Sequence, residues 1–173
     1  MSHTLQETQG QISVIKYDGV FDYDGLVDFL FGWFKSRSWF IQEKTFKHKK
    51  SGLGHEIERE FTNWRKISEY YKYNVGVKMH LWDAYPIDAV KDGKKQKLMR
   101  ARIEIILDFS VECDYQGKYE SSQFLEKLRN FMHEYVMKKD IIVQHGDSLY
   151  YTALGLNTDI KKFLGMDATK TVY

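Results

Sequence analysis

The stretch from Leu98 to Tyr115, LMRARIEIILDFSVECDY, decides the fold. Its odd positions are apolar: Met99, Ala101, Ile103, Ile105, Leu107, Phe109, Val111, Cys113 and Tyr115. Its even positions are mostly polar, among them Arg100, Arg102, Glu104, Asp108, Ser110, Glu112 and Asp114. Side chains on a strand alternate faces, so a period of two over this length predicts one long strand with one buried face. Such a strand needs neighbours in a sheet and a layer over its apolar side.

The neighbour is the run Tyr70 to Trp82, where Tyr71, Tyr73, Val75, Val77, Met79 and Leu81 share one face. Between the two runs, Asp92-Gly93 is the strongest hairpin signal in the chain. A plain two-residue turn there sets odd positions opposite even ones and throws the two apolar faces onto opposite sides. One extra residue in the first strand restores the match. We expect that bulge between Asp83 and Ile87, where Pro86 is tolerated. The restored register pairs Leu81 with Ile103, Met79 with Ile105, Val77 with Leu107, Val75 with Phe109, Tyr73 with Val111 and Tyr71 with Cys113. On the other face Lys72 meets Glu112, His80 meets Glu104 and Trp82 meets Arg102, all favourable pairs, while Lys78 meets Ile106.

Gln11 to Tyr17 reads as a short strand, followed by a turn at Asp18-Gly19. Asp22 is placed to cap a helix whose apolar face carries Leu26, Phe29, Leu30, Trp33 and Phe34 and which ends near Ser36. Trp39 to His48 and His55 to Trp64 read as edge or partly solvated strands. A four-residue loop at Lys50 to Leu53 would set Phe46 against Ile57 and Lys47 against Glu56. After Gln116-Gly117, Ser121 or Ser122 caps a helix bearing Phe124, Leu125, Leu128, Phe131, Met132, Tyr135 and Val136. A break is expected near Lys139 or at His145-Gly146. A last helix then carries Leu149, Ala153, Leu156, Ile160, Phe163 and Leu164, with Gly165 as its C-cap. The fold class is α+β: a curved antiparallel sheet of about five strands, in the order β-α-β-β-β-β-α-α, with helices packed on one face.

A chain of 173 residues reads as a single domain, 1–173, with loose tails at 1–10 and 166–173. Lysine and arginine number 26 against 24 acids, a balance that names no class of partner. The single cysteine makes an internal disulfide impossible. Its place on the apolar face of the long strand suits a reducing, cytoplasmic setting. The opening MSHTLQETQGQ lacks the apolar core of a signal peptide, and no apolar run has the length of a membrane span. Four Trp, twelve Tyr and eleven Phe exceed what one small core needs, which points to an interface or a pocket.

The order of elements resembles a reduced helix-grip (START-like) fold, in which a curved sheet wraps a long C-terminal helix. FDYDGLVDFL, HLWD, the KDGKK hairpin, DYQGKYE and the closing KKFLGM also resemble a set of small uncharacterised archaeal proteins. That resemblance implies an origin but brings no activity, cofactor or functional residue.

Several groups carry the letters of a chemistry without its spacing. Cys113 sits among core residues with no histidine paired to it, so it reads as packing. His48 and His55, with Glu56, flank the KKSGLG turn without the spacing of a closed metal site. Asp18, Asp22, Asp24 and Asp28 lack the alternation and distant Glu of a calcium loop, and turn and capping roles explain the first three. His145, Asp147 and Ser148 hold the letters of a catalytic triad as neighbours in one segment, where Asp147 or Ser148 reads as a helix cap. The Gly52-Leu53-Gly54 string is followed by no helix and is no nucleotide fingerprint. We therefore assign no catalytic, metal or cofactor-binding residue, lean against an enzyme and expect no cofactor.

Two features remain. A candidate basic patch, Lys44, Lys47, Lys49 and Lys50 with Lys94 and Lys95, lies at hairpin tips and would suit phosphates if the tips met. Trp82 and Ile106 point away from the main apolar face, and with Trp64, Tyr70 and Tyr85 they form a candidate interface. The leading expectation is a non-enzymatic structural or interaction protein that self-associates with other copies of itself into a homo-oligomer or larger assembly. The alternatives are an apolar small molecule held between sheet and C-terminal helices by Tyr71, Tyr73, Met79, Phe109 and Met132, and nucleic acid held by the basic hairpins.

Overall fold

The computed structural model describes the backbone of residues 3–52, 54–91 and 94–166, and their side chains except at 3–8, 51, 89–91, 94–96 and 120. The elements are β1 (His3–Phe21), α1 (Tyr23–Lys35), β2 (Phe40–Ser51), β3 (Gly54–Lys66), β4 (Tyr71–Lys91) and β5 (Lys94–Cys113). A 3-10 turn (Lys118–Glu120) leads into α2 (Gln123–Phe131), a π-helical turn (Met132–Met137), α3 (Lys138–Asp140), a second π-helical turn (Ile141–Gly146) and α4 (Asp147–Phe163). The strands form one open antiparallel sheet in the order β1-β5-β4-β3-β2, with helices on one face, an α+β fold.

The β4–β5 ribbon holds the expected register throughout. Leu81–Ile103, Met79–Ile105, Val77–Leu107, Val75–Phe109, Tyr73–Val111 and Tyr71–Cys113 face one another, as do Lys72–Glu112, His80–Glu104, Trp82–Arg102 and Lys78–Ile106. The extra residue falls at the start of the expected window. Trp82 opposes Arg102 and the next pair is Tyr85–Arg100, while Pro86 stays in register with Met99. Asp83 makes the bulge by taking a left-handed backbone, φ 52°, which Asp tolerates better than most residues. Its carboxylate accepts bonds from Arg102 Nε and Nη2 at 3.0 and 2.6 Å. Strand β3 registers the same bulge, stepping from His55–Ala84 to Ile57–Leu81. Gly54 is required there, because a Cβ on it would stand 2.8 Å from the Asp83 carbonyl carbon. Asp92 and Gly93 lie outside the described residues, and the strands beside them pair as far as Lys91–Lys94.

Three expectations are corrected. Strand β1 runs from His3 to Phe21 rather than from Gln11 to Tyr17, its backbone pairing with β5 from His3–Cys113 onward, so residues 3–10 belong to the sheet and Asp18-Gly19, opposite Arg102 and Ala101, continue the strand instead of turning. Ser51 pairs with Gly54, which leaves a two-residue connection instead of a four-residue loop. Phe46 therefore meets Arg59 and Lys47 meets Glu58. The C-terminal region has no break: residues 123–163 stay helical, and two widened turns absorb the slip in apolar spacing that reads as an interruption. The expected tail 166–173 lies outside the described residues except for Met166.

Since β1 and β2 occupy opposite edges, α1 has to cross the sheet to join them. Asp22 caps it, its Oδ1 accepting from Gly25 N at 2.8 Å, and Tyr23, Leu26, Val27, Leu30, Trp33 and Phe34 are buried. Beside it α4 buries Leu149, Ala153, Leu156 and Ile160 against the odd positions of β5 and β1. Trp33 Nε1 donates to Asp159 across the two helices, and Phe29 stacks on Phe163. Gly165, in left-handed conformation, closes α4 with a bond from Met166 N to Lys161 O. Val77, Leu81, Ile105, Leu107, Leu149 and Leu156 have essentially no solvent exposure, so the space between mid-sheet and α4 is filled.

Candidate functional site

The sheet face away from the helices is a lattice of cross-strand ion pairs. Lys16–Glu104, Lys47–Glu58, Arg100–Asp18 and Arg102–Asp83 lie within 3.0 Å, and Lys72–Glu112, Lys44–Glu60 and Lys78–Asp108 continue the pattern. Trp82 lies in this lattice, stacked on His80, and Ile106 sits opposite Val14 on the same face. Trp64 is at the far end, in tilted ring contact with the exposed Phe40, and Tyr85 follows the bulge. These four of the five candidate interface residues share the face as small apolar groups separated by charges. Tyr70 does not join them, because it sits under the C-terminal helix with its hydroxyl hydrogen-bonded to His133 Nε2.

The basic patch is divided. The β2–β3 tip is level with Ala84, and the β4–β5 ribbon runs seven further residues to Lys91. At about 3.4 Å per residue the two tips are roughly 24 Å apart. Lys44 and Lys47 are paired with Glu60 and Glu58, and Lys49 and Lys50 lie opposite Glu56 and His55. Lys94 and Lys95 lie at the outer end of the ribbon, with their side chains outside the described residues.

His48 and His55 do meet across β2 and β3, with Nε2 and Nδ1 2.9 Å apart, but Glu56 points to the other face and hydrogen-bonds His80 at 2.8 Å. Among the described residues, Glu56, Glu58 and His80 bring donor atoms within 4.8 Å of one another. A cation there would have to displace Lys47 from Glu58. Asp18 pairs with Arg100, Asp22 caps α1 and Asp24 lies in its first turn, so the acids do not converge. Cys113 is fully buried, and burial pushes its thiol up to about 12, which leaves it protonated and inert. His145 lies against Tyr73 rather than Ser148 or Asp147, and Asp147 is inside a continuous helix with no cap to make.

The unusual geometry is in 118–146. Helix α2 is strongly amphipathic, yet the residue it buries is Arg129. Much of its apolar side faces solvent: Phe124 is 73% exposed, Phe131 55% and Tyr135, on the next turn, 71%, while Leu125 is half-buried. The Phe131 and Tyr135 rings meet at a tilt, with centroids 5.1 Å apart. The inward Arg129 reaches Asp114 at 3.4 Å, and Asp114 also accepts from the backbone N–H groups of Lys118 and Tyr119 at 2.9 and 3.2 Å. The 3-10 turn thereby anchors the start of α2 to the end of β5.

Each π-helical turn delivers one histidine to a tyrosine at the end of the sheet. The first presents His133 to Tyr70, and the second presents His145 to Tyr73 Oη at 2.9 Å, with the Tyr71 ring 4.1 Å from the imidazole. Burial pushes the Tyr71 hydroxyl up to about 12 and raises Tyr70 further, while it lowers His145, so these groups are neutral near pH 7. Beside them opens a groove of about 410 Å³ between the Tyr70, Tyr71 and Tyr119 rings and the Leu128, Met132 and Met137 side chains, with Arg129 in its wall. Of the residues expected to line a ligand space, Tyr71 and Met132 do so; Tyr73 and Met79 are buried in the filled core, and Phe109 packs on Tyr150. The periodicity slip across 132–146 was the signal for these turns, but it reads equally as a helix break.

No protein-family model matches this chain, and no curated protein matches it. Among the described residues no helix is long and apolar enough to cross a membrane.

Proposed function

We propose that this chain is a non-enzymatic interaction protein that works by self-association, with the outward apolar face of α2 as its contact surface. The observation that carries this reading is the orientation of α2, which turns Phe124, Phe131 and Tyr135 to water and an arginine to the core. Single exposed apolar residues are ordinary, but several large apolar side chains exposed along one helix, Phe124, Leu128, Phe131 and Tyr135, are the pattern of a surface that is covered in use. Val136, Val143 and Tyr151 extend the exposed apolar residues along the same helical run.

The occupant that fits is a second copy. In an antiparallel pairing of two α2 helices about Phe131, Lys127 of each copy falls opposite Glu134 and Tyr135 of the other, and Glu126 comes within a turn of Lys139. A parallel pairing sets Lys127 on Lys127 and Glu134 on Glu134, so charge selects the two-fold arrangement. The ion-paired sheet face offers no comparable apolar continuity for Trp82 and Ile106. Sedimentation equilibrium from micromolar to near-millimolar protein tests the reading. The expected species has twice the 20.6 kDa chain mass, and Phe131→Glu shifts it to one chain. A single-chain mass across the whole range overturns it.

A further inference from the structure

We propose that Glu56, Glu58 and His80, on the sheet face away from the helices, bind a divalent first-row transition ion, with Zn2+ as its representative. The site is set by strand register and stands independently of self-association through α2. Glu56 and Glu58 are two residues apart on β3, so strand alternation puts both carboxylates on one face. His80 of β4 lies directly across from Glu58 on that face. The three side chains, all half-buried, bring donor atoms within 4.8 Å of one another. The closest pair, Glu56 Oε1 and His80 Nε2, is 2.8 Å apart. That is just under the about 2.9–3.4 Å between neighbouring ligands held about 2.0–2.1 Å from one ion. A metal ion can therefore take the place of the proton between them, and Glu58 closes the remaining distance with its flexible side chain. The His80 ring is stacked on Trp82, centroids 3.9 Å apart, which fixes the plane of the imidazole.

The donor set selects the ion. One imidazole nitrogen with two carboxylates suits Zn2+ and its first-row neighbours, whereas Mg2+ and Ca2+ take oxygen ligands. Two carboxylates also neutralise a divalent charge, and water completes the shell on the solvent side, as in an open zinc site. The competitor is Lys47, whose ammonium donates to Glu58 at 2.9 Å. That hydrogen bond and the lysine charge hold the Glu58 carboxyl below the usual carboxylate range, so it is ionised near pH 7 and ready to ligate. The Lys47 side chain is 56% exposed, and an ion pair so open to water is weak. A divalent ion carries twice the charge of the ammonium and engages both carboxylates and the imidazole at once, so it displaces Lys47 at small cost. The next lysine on this face, Lys78, is taken up by Asp108.

The test is calorimetric titration of the full chain with zinc chloride and, separately, with magnesium chloride. His48→Gln serves as the background for every variant, because it removes the His48–His55 pair across β2 and β3 as a competing ligand. The expected result is saturable binding of one Zn2+ per chain, at least about tenfold tighter than Mg2+, since Mg2+ gains little from the imidazole. Glu58→Gln and His80→Gln, at half-exposed positions that tolerate the change, each weaken Zn2+ binding about tenfold or more by removing one of three ligands. Lys47→Ala acts in the opposite direction and tightens binding about two- to fivefold, the worth of the exposed ion pair that the metal otherwise has to break. A merely structural role for these side chains would not make loss of a lysine improve binding. Absence of saturable Zn2+ binding, equal affinity for Mg2+, unchanged binding in Glu58→Gln or His80→Gln, or binding no tighter in Lys47→Ala each overturns the proposal.

Discussion

Helices α1 and α2 are both amphipathic and both capped by the side chain of the preceding residue, Asp22 and Ser122, yet they face opposite ways. Helix α1 turns Leu26, Leu30 and Phe34 onto the sheet, whereas α2 turns Phe124 and Phe131 to water and buries Arg129. Periodicity shows that a helix has an apolar side, but which way that side points depends on what the chain can place beneath it. Crossing from β1 to β2, α1 lies over the apolar positions of the central strands. Helix α2 begins where Asp114 and the 3-10 turn offer a carboxylate at the end of β5, and its one inward cation answers it. If this contrast is right, mutations on the two helices should affect different measurements.

The largest difference is expected between matched ring deletions. Phe34→Ala should cost about 3–5 kcal/mol in urea unfolding, because Phe34 is fully buried against Trp33 and Trp39. Phe131→Ala, measured under monomeric conditions, should change chain stability by no more than about 0.5 kcal/mol. Equal costs would erase the distinction between the helices. Arg129→Leu sharpens it. Leaving Asp114 buried without its cation should cost about 3 kcal/mol, the lower end for a broken buried pair, since Lys118 and Tyr119 still donate to it. Full stability in that variant would show that Arg129 does not set the orientation of α2.

A smaller effect tests the sheet that both helices share. Gly54→Ala must push against the Asp83 backbone, and we expect a loss of about 1–3 kcal/mol with the β4 bulge displaced. An unchanged urea midpoint would mean that the bulge yields freely. The smallest concerns the second π-helical turn. Burial lowers the His145 pKa below its ordinary 6.5, so below that pH the unfolded chain binds the proton more readily than the folded one. Stability contributed by neutral His145 is thus present above pH 6.5 and declines as pH falls through that value toward the lower folded pKa. Thermal unfolding at pH 7.5 and 5.5 should show a smaller decline in His145→Gln than in the native chain. An identical decline would remove His145 from the account.

The ribbon was legible because two strict alternations and one hairpin signal constrain each other. Only one inserted residue lets Val77 and Leu107 face the same way, so the register followed from parity alone. The bulge lay at Asp83 rather than nearer Pro86 because a left-handed aspartate bonded to Arg102 is a tertiary arrangement that local composition does not announce. Helix 123–163 was harder to read. Its apolar positions slip phase, and a widened turn and a break leave the same trace in one dimension. The groove was missed for that reason, since it exists only where those turns bring Met132, Met137 and Arg129 opposite Tyr70 and Tyr71. Of the residues expected to form an interface, Tyr70 was misplaced because it follows the turn into β4, where strand parity does not apply.

Disulfide trapping tests the central claim most directly. The natural Cys113 is buried and protonated, so an introduced thiol on α2 reacts as the accessible one. Antiparallel pairing about Phe131 places that position against itself across the two-fold axis, within the few ångströms a disulfide spans, and carries Phe124 away from its own copy. Under mild oxidation Phe131→Cys should therefore convert to a covalent dimer while Phe124→Cys, at the more exposed position, remains a single chain. Equal cross-linking of the two variants, or none in Phe131→Cys, would contradict the account.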